Sequence, residues 1–199
     1  MYVVLRLIVG IALALILTKT KVLKCIAGSK KRILILAVAV ITPILLYFLP
    51  MENAFTSFDS PETAFRYVYS YEAKGSAEGM ETTFVVGEKK GASVYAIVPK
   101  TETGWKLDPG HQMKLDNSIF VDGMLISVYR HDKTNESYAV VSSDLEMLQI
   151  CDVYGNIFHR IASNQSYIYC AYVPEYNGEY KLSVNGNDYL LSSEEFAIG

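Results

Sequence analysis

Acid is what the first fifty residues lack: no aspartate or glutamate occurs between Met1 and Pro50, while Arg6, Lys19, Lys21, Lys24, Lys30, Lys31 and Arg32 all do. Such a segment cannot be an ordinary salt-bridged surface. Residues 51–199 hold all 21 acids against the remaining 11 Lys and Arg, a formal −10 for that part. An acidic body excludes nucleic acid as its partner, because phosphate contacts need clustered Lys and Arg.

Cysteine and histidine are also scarce. Three cysteines, Cys25, Cys151 and Cys170, exclude a disulfide-dense scaffold. The three histidines, His111, His131 and His159, are scattered without the i, i+4 or Cys-x-x-Cys spacing that makes a zinc site. Neither a Gly-x-Ser-x-Gly elbow, a phosphate-cradling glycine loop nor a dinucleotide fingerprint is present. His159 and Cys170 have the chemistry of a base and a nucleophile, but no flanking motif joins them. Asp144 and Glu146, two apart on an expected strand, read as a solvated acidic face. No catalytic, metal or cofactor residue is assigned, and no cofactor is expected.

What the head does contain is hydrocarbon. MYVVLRLIVGIALALIL (Met1–Leu17) carries one charge and ILILAVAVITPILLYFL (Ile33–Leu49) none. Seventeen helical residues span roughly 25 Å, close to a bilayer core of about 30 Å, and flanking residues or local thinning can supply the rest. The first run lacks a basic segment ahead of it and a small-x-small site behind it, so it reads as an uncleaved span. Cys25 follows a lysine, unlike a lipoprotein signal. The expectation is a transmembrane helix over 1–18, a basic cytoplasmic loop over 19–32, a second transmembrane helix over 33–50 and a juxtamembrane linker over 51–58.

The loop charges Lys19, Lys21, Lys24, Lys30, Lys31 and Arg32 are the topology determinants. By the positive-inside rule they stay in the cytoplasm, so both termini are extracytoplasmic. Arg6, near a helix end, is expected to snorkel to the interface. Phe55 and Phe58 in the linker can dip into the membrane surface or staple the helix that follows.

Residues 59–199 read as an extracytoplasmic domain. Asp59 or Ser60 can cap a helix that Pro61 preorganises, and Ala64, Phe65, Val68 and Tyr71 recur on one face. That helix is expected to end near Tyr71–Lys74. After Gly79 the pattern becomes strands: TTFVV, SVYAIV, WKL, SIFV, MLISVY, SYAVVS, EMLQICDV, NIFHRI, YIYCAYV, EYKLSV and DYLL. Gly87–Gly91 and Asp122-Gly123 mark hairpins, and turn residues separate most of the others. The fold class is therefore an α-helical transmembrane hairpin followed by a mainly-β (α+β) domain, one N-terminal helix and then an antiparallel sandwich or curled sheet.

Thirteen tyrosines lie in this body. They suit an aromatic binding surface, but also suit strands that pack one side and wet the other. Cys151 and Cys170 are a candidate disulfide; the alternative is two free thiols, since the intervening NIFHRI strand would hold them apart in a plain meander. Asn135-Glu-Ser and Asn164-Gln-Ser match the glycosylation sequon, at a frequency near chance.

The succession of the basic apolar head, FDSPETAFRYVYS, SVYAIVPKTETGWKL, CDVYGNIFHRI and YVPEYNGEYKLSVNG resembles uncharacterised small membrane-anchored extracytoplasmic proteins of low-GC Gram-positive bacteria. The likeness runs over Phe58–Leu190. It implies a host type and an outer domain with no assigned activity. Three functions compete: an envelope protein whose outer domain binds a protein or cell-wall partner, a signalling or accessory subunit acting through transmembrane helix pairing, and an envelope hydrolase.

Overall fold

The structure, a computed structural model, describes residues 2–19, 28–48, 53, 56–106, 113–163 and 166–192. Two helices come first, α1 (Tyr2–Lys19) and α2 (Gly28–Phe48). One stripe of α1, made of Arg6, Gly10 and Ala14, is buried, and at Gly10 it meets Pro43 of α2. Arg6 is only 4% exposed on this stripe, so it does not snorkel as expected.

Among the described residues no helix is long and apolar enough to cross a membrane. The 18 residues of α1 reach about 27 Å. The 21 residues of α2 open on Gly28-Ser-Lys-Lys-Arg32, which leaves only Ile33–Phe48 apolar. Two apolar helices are therefore present, but spans of full bilayer length are not supported.

The rest of the described residues form one helix and twelve strands, a mainly-β α+β fold. In α3 (Pro61–Tyr69), Ser60 is the N-cap: its Oγ accepts from Thr63 N at 3.2 Å. Ser70 takes the left-handed conformation (φ 59°) and closes the helix, its N–H donating to Arg66 O at 2.8 Å. The helix thus stops at Tyr69, short of the expected Tyr71–Lys74.

The strands are β1 (Glu72–Glu78), β2 (Thr82–Lys89), β3 (Ala92–Thr101), β4 (Gly104–Trp105), β5 (Met113–Val121), β6 (Met124–His131), β7 (Ser137–Ser143), β8 (Ile150–Asp152), β9 (His159–Ala162), β10 (Tyr167–Val173), β11 (Glu179–Val184) and β12 (Asn187–Ser192). β1 corrects the expectation that strands begin after Gly79. Gly75 marks a close approach inside that strand, where a Cβ would fall 2.9 Å from Ile161 Cγ1. The expected strand EMLQICDV shrinks to β8, so Asp144 and Glu146 lie in a loop rather than on a strand face.

Pairing is antiparallel throughout, in three sheets ordered β1-β2-β3-β4, β5-β6-β7-β10-β9 and β12-β11-β8. Lys90-Gly91, Asp122-Gly123 and Asn185-Gly186 each turn a hairpin with positive φ at both residues, the geometry that matches strand twist.

The layers stack as α3, first sheet, second sheet, third sheet. Alternation along β2 explains the first contacts: Val85 faces Phe65 and Ala64 of α3, whereas Phe84 and Val86 face Tyr138, Val140, Ile168 and Cys170. The second sheet is covered on both sides. Ala139 and Val141 of β7 pack the other way, with Leu182, Val184 and Leu191 of the third sheet. That is why SYAVVS and YIYCAYV read as continuous apolar runs rather than alternating ones.

Candidate functional site

Two buried carboxylates fix the loops that shape the body. Glu136, 7% exposed, precedes β7. Its Oε1 accepts from Met80 N (2.8 Å) and Glu81 N (2.9 Å), and its Oε2 from Thr82 Oγ1 (2.5 Å). Thr82 in turn shares a hydrogen bond with the Tyr138 hydroxyl at 2.8 Å. Burial, opposed by that bond to Thr82, pushes the Tyr138 hydroxyl well above the usual tyrosine range. One side chain thus ties the β1–β2 turn to the second sheet. Gly79 allows the approach, since a Cβ there would collide with the Tyr138 hydroxyl.

Asp152 plays the corresponding part at the third sheet. Its Oδ1 accepts from Tyr154 N (3.1 Å) and Asn156 N (2.8 Å), its Oδ2 from Asn156 Nδ2 (2.7 Å) and the Tyr180 hydroxyl (2.6 Å). Burial and that bond to a carboxylate both raise the Tyr180 hydroxyl. The result is a fixed loop over 153–158.

This loop and the one over 144–149 border an open cleft of about 700 Å³. Tyr169 anchors the second loop, its hydroxyl donating to the carbonyls of Leu145 (3.1 Å) and Glu146 (2.5 Å). Arg160 of β9 adds a contact to the Glu146 carboxylate at 3.2 Å. Met147 and Ile157, both lining the cleft, are 86% and 80% exposed. The lining carries one carboxylate, one guanidinium and one thiol, and the two charges pair with each other. Such a mix of apolar tips, backbone edges and Gln149 and Asn156 amides suits binding of a surface.

Of the topology determinants, Lys19 ends α1, and Lys30, Lys31 and Arg32 stand near the start of α2; Lys21 and Lys24 lie outside the described residues. The pair of helices therefore gathers cations at one end. Lys19 suits the negative C-terminus of α1, but Lys30, Lys31 and Arg32 oppose the positive N-terminus of α2. Helix stability does not explain their placement.

Cys151 and Cys170 are separate free thiols on strands of different sheets, the first exposed and the second buried. The Cys170 thiol points to the His159 carbonyl at 3.8 Å, and burial pushes it up to about 12. His159 is the register partner of Cys170, yet that thiol is held neutral and in the core. His131 is buried, with Nδ1 and Thr134 Oγ1 3.0 Å apart; His111 lies outside the described residues. No group of three metal-ligating side chains occurs among the described residues.

The tyrosines go mainly into packing. Phe84, Tyr95, Tyr129 and Tyr138 form a tilted cluster between the first two sheets, with ring centroids 5.4–5.8 Å apart. Sequence reasoning missed Glu136, because its partners Met80, Glu81 and Thr82 lie far along the chain; it missed Asp152 although Tyr154 and Asn156 are local, because only the distant Tyr180 marks that carboxylate as buried. It read Met147 and Ile157 as strand residues; an exposed apolar loop tip has no periodicity to betray it.

These features define a layered helix-and-sheet body joined to an apolar helix pair. The chain matches no protein-family model, no curated protein and no solved structure.

Proposed function

We propose that the chain is a membrane-anchored envelope protein. The α1–α2 pair sits in the bilayer, residues 59–199 form an extracytoplasmic domain, and the cleft bordered by Met147 and Ile157 docks a protein or cell-wall partner. One observation carries the anchoring. Val4, Leu7, Ile8, Ile11, Leu15 and Ile16 of α1, with Ile33, Leu36, Val40, Ile41, Ile44 and Leu45 of α2, all face outward. An apolar surface of that extent needs a lipid or protein cover, and the adjoining cations suit anionic headgroups at about 1 kcal/mol each. Apolar sequence extends to Met1 and Leu49, and local thinning closes the remaining shortfall.

The basic end then lies in the cytoplasm and both chain ends outside. A tag at Gly199 is degraded by protease added to intact cells stripped of wall; protection of that tag reverses the orientation. Replacing the six loop cations with Gln scrambles it. Recovery of the protein in the soluble fraction after lysis sinks the anchor. For the domain, photo-crosslinkers at Met147 and Ile157 capture the same identified partner in native membranes, while one at Phe120, which is exposed away from the cleft, does not.

A further inference from the structure

The third sheet ends, at β12, on an edge that pairs with no other strand among the described residues. β12 follows β11 across the two-residue turn Asn185-Gly186, so Val184 and Asn187 close the hairpin and exchange both backbone bonds. Alternation then turns the N–H and C=O of Tyr189 and Leu191 towards β11, and those of Asp188, Leu190 and Ser192 away from it. The far side of β11 agrees in phase: Lys181 O accepts from Val153 N and Asn185 N donates to Gln149 O.

Asp188, Leu190 and Ser192 border a groove of about 650 Å³ that Asn117 and Phe120 of β5 also line. Asn117 brings an unmade bond to it. The residue is 2% exposed. Its Nδ2 donates to the Tyr176 hydroxyl (2.5 Å) and Gly178 O (3.0 Å), but its Oδ1 has no partner among the described residues. Buried acceptors are normally paired, so this one marks where a ligand's donor fits. Of the two edges, β5 is the poorer template: its register shifts between Leu115 and Asn117, and it carries Lys114 and Asp116. β12 keeps register over all six residues and holds neither proline nor lysine. Charge is the last element. The Tyr189 hydroxyl donates to Asp122 at 2.6 Å, and Lys181 pairs with Asp188 at 3.3 Å. Two carboxylates against one ammonium leave the border of the groove net negative.

We infer that this groove binds an extended, basic peptide segment of a partner protein, which pairs with β12 as a fourth strand of the third sheet. Its main chain bonds to Asp188, Leu190 and Ser192, one of its donors reaches Asn117 Oδ1, and a Lys or Arg meets Asp188 or Asp122. Side chains on its inner face extend the core in which Leu191 meets Tyr189 and Ile119. Strand addition of this kind draws affinity from main-chain bonds and specificity from alternate side chains. The groove is separate from the cleft at Met147 and Ile157 and does not depend on it.

Panning a phage-displayed random-peptide library on the full chain in detergent micelles tests this. Enriched peptides alternate apolar residues and carry Lys or Arg; as synthetic peptides they slow amide exchange at Asp188 and Leu190. Leu190→Pro removes an N–H that β11 does not use, a change an edge strand tolerates. It weakens binding on the order of tenfold, while amides of β7 and β10 keep their wild-type protection. Asp188→Lys weakens binding too, and exchanging the peptide's Lys for Glu restores it. Wild-type affinity in Leu190→Pro overturns the strand pairing. So does slow exchange at Asp188 and Leu190 before peptide is added, because the edge would then be covered already, and so does a library that enriches nothing. Should Leu190→Pro lose the β7 and β10 protection, Asp188→Lys decides, and unchanged affinity there overturns the proposal. Binding lost in Met147→Asp with Ile157→Asp but kept in Leu190→Pro assigns the peptide to the cleft and removes the groove.

Discussion

Gly10 of α1 lies directly on Pro43 of α2: a Cβ placed on the glycine would stand 2.7 Å from Pro43 Cγ and 2.8 Å from Cδ. The proline ring fills the space that the missing side chain leaves. Ala14, one turn further on, is 4% exposed on the same stripe. Gly10 and Ala14 make a small-x-x-x-small pair, the spacing that lets helix backbones approach closely in apolar surroundings.

Gly10→Val therefore forces the helices apart. Overpacking of this kind costs about 1–3 kcal/mol. Thermal unfolding of the helical signal in detergent, followed by circular dichroism, shifts to lower temperature. Ile11→Ala, at a neighbouring outward-facing position, leaves it unchanged. An unshifted Gly10→Val transition would mean that the two helices do not depend on this contact.

The Glu136 clamp gives a second expectation. Glu136→Ala strands the Met80 and Glu81 N–H groups in a part-buried setting and leaves the Thr82 hydroxyl with Tyr138 as its remaining partner. Unmade bonds of this type cost about 1–3 kcal/mol each, and partial rehydration leaves a net loss of about 2–4 kcal/mol. Glu136→Gln keeps one carbonyl for the two amides and loses less. Urea denaturation of both variants measures the order, Ala below Gln below wild type. Equal stabilities would show the clamp to be replaceable by water.

These relationships explain what could be read in the chain and what could not. The hairpins were legible because Asp122-Gly123 and Lys90-Gly91 carry their turn chemistry locally. β7 and β10 were legible because burial on both faces leaves uninterrupted apolar runs. β1 was not: AKGSAE is small and polar, and it becomes a strand only because Ser70 stops α3 and β2 offers an edge. The stacking of three sheets was equally invisible, since one run such as TTFVV gives no sign of which layer each face meets. The cleft depends on Tyr169, whose partners Leu145 and Glu146 are set by the tertiary fold, and on Asp152, whose bonds to residues 154 and 156 are local but whose burial against Tyr180 is not. Pro43 is a packing surface beside Gly10, a role that its own apolar run does not announce.

The two described cysteines should differ chemically. A maleimide applied to the folded protein at pH 7 modifies exposed Cys151 and leaves Cys170 untouched until denaturant is added, as read by peptide mass spectrometry. The Cys170 thiol is raised from about 9 to about 12 by burial, and the Tyr95 hydroxyl to about 12 by burial and the neighbouring Tyr129. Both groups are neutral in the fold and ionise more easily once unfolded. Their contribution is complete below the unfolded values and is lost as pH rises from about 9 towards 12. Stability from urea titrations thus falls across that window. Cys170→Ala starts lower at pH 7 but falls less steeply. Parallel curves for the two proteins would exclude Cys170 from the alkaline transition.

The last expectation joins Asp152 to the cleft. Three of its four described hydrogen bonds hold residues 154 and 156, so the carboxylate sets where Ile157 stands. Asp152→Ala removes all of these and strips the Tyr180 hydroxyl of its acceptor, at a cost of about 2–4 kcal/mol. Met147→Asp with Ile157→Asp touches only exposed tips and changes stability by no more than about 0.5 kcal/mol. If the cleft is the docking surface, both variants lose the crosslinked partner, but only Asp152→Ala lowers the unfolding midpoint in urea. Retained capture in the stable double variant moves the docking surface elsewhere on the domain. Retained capture in Asp152→Ala alone would instead mean that the partner reads the 144–149 loop, which Tyr169 and Arg160 continue to hold.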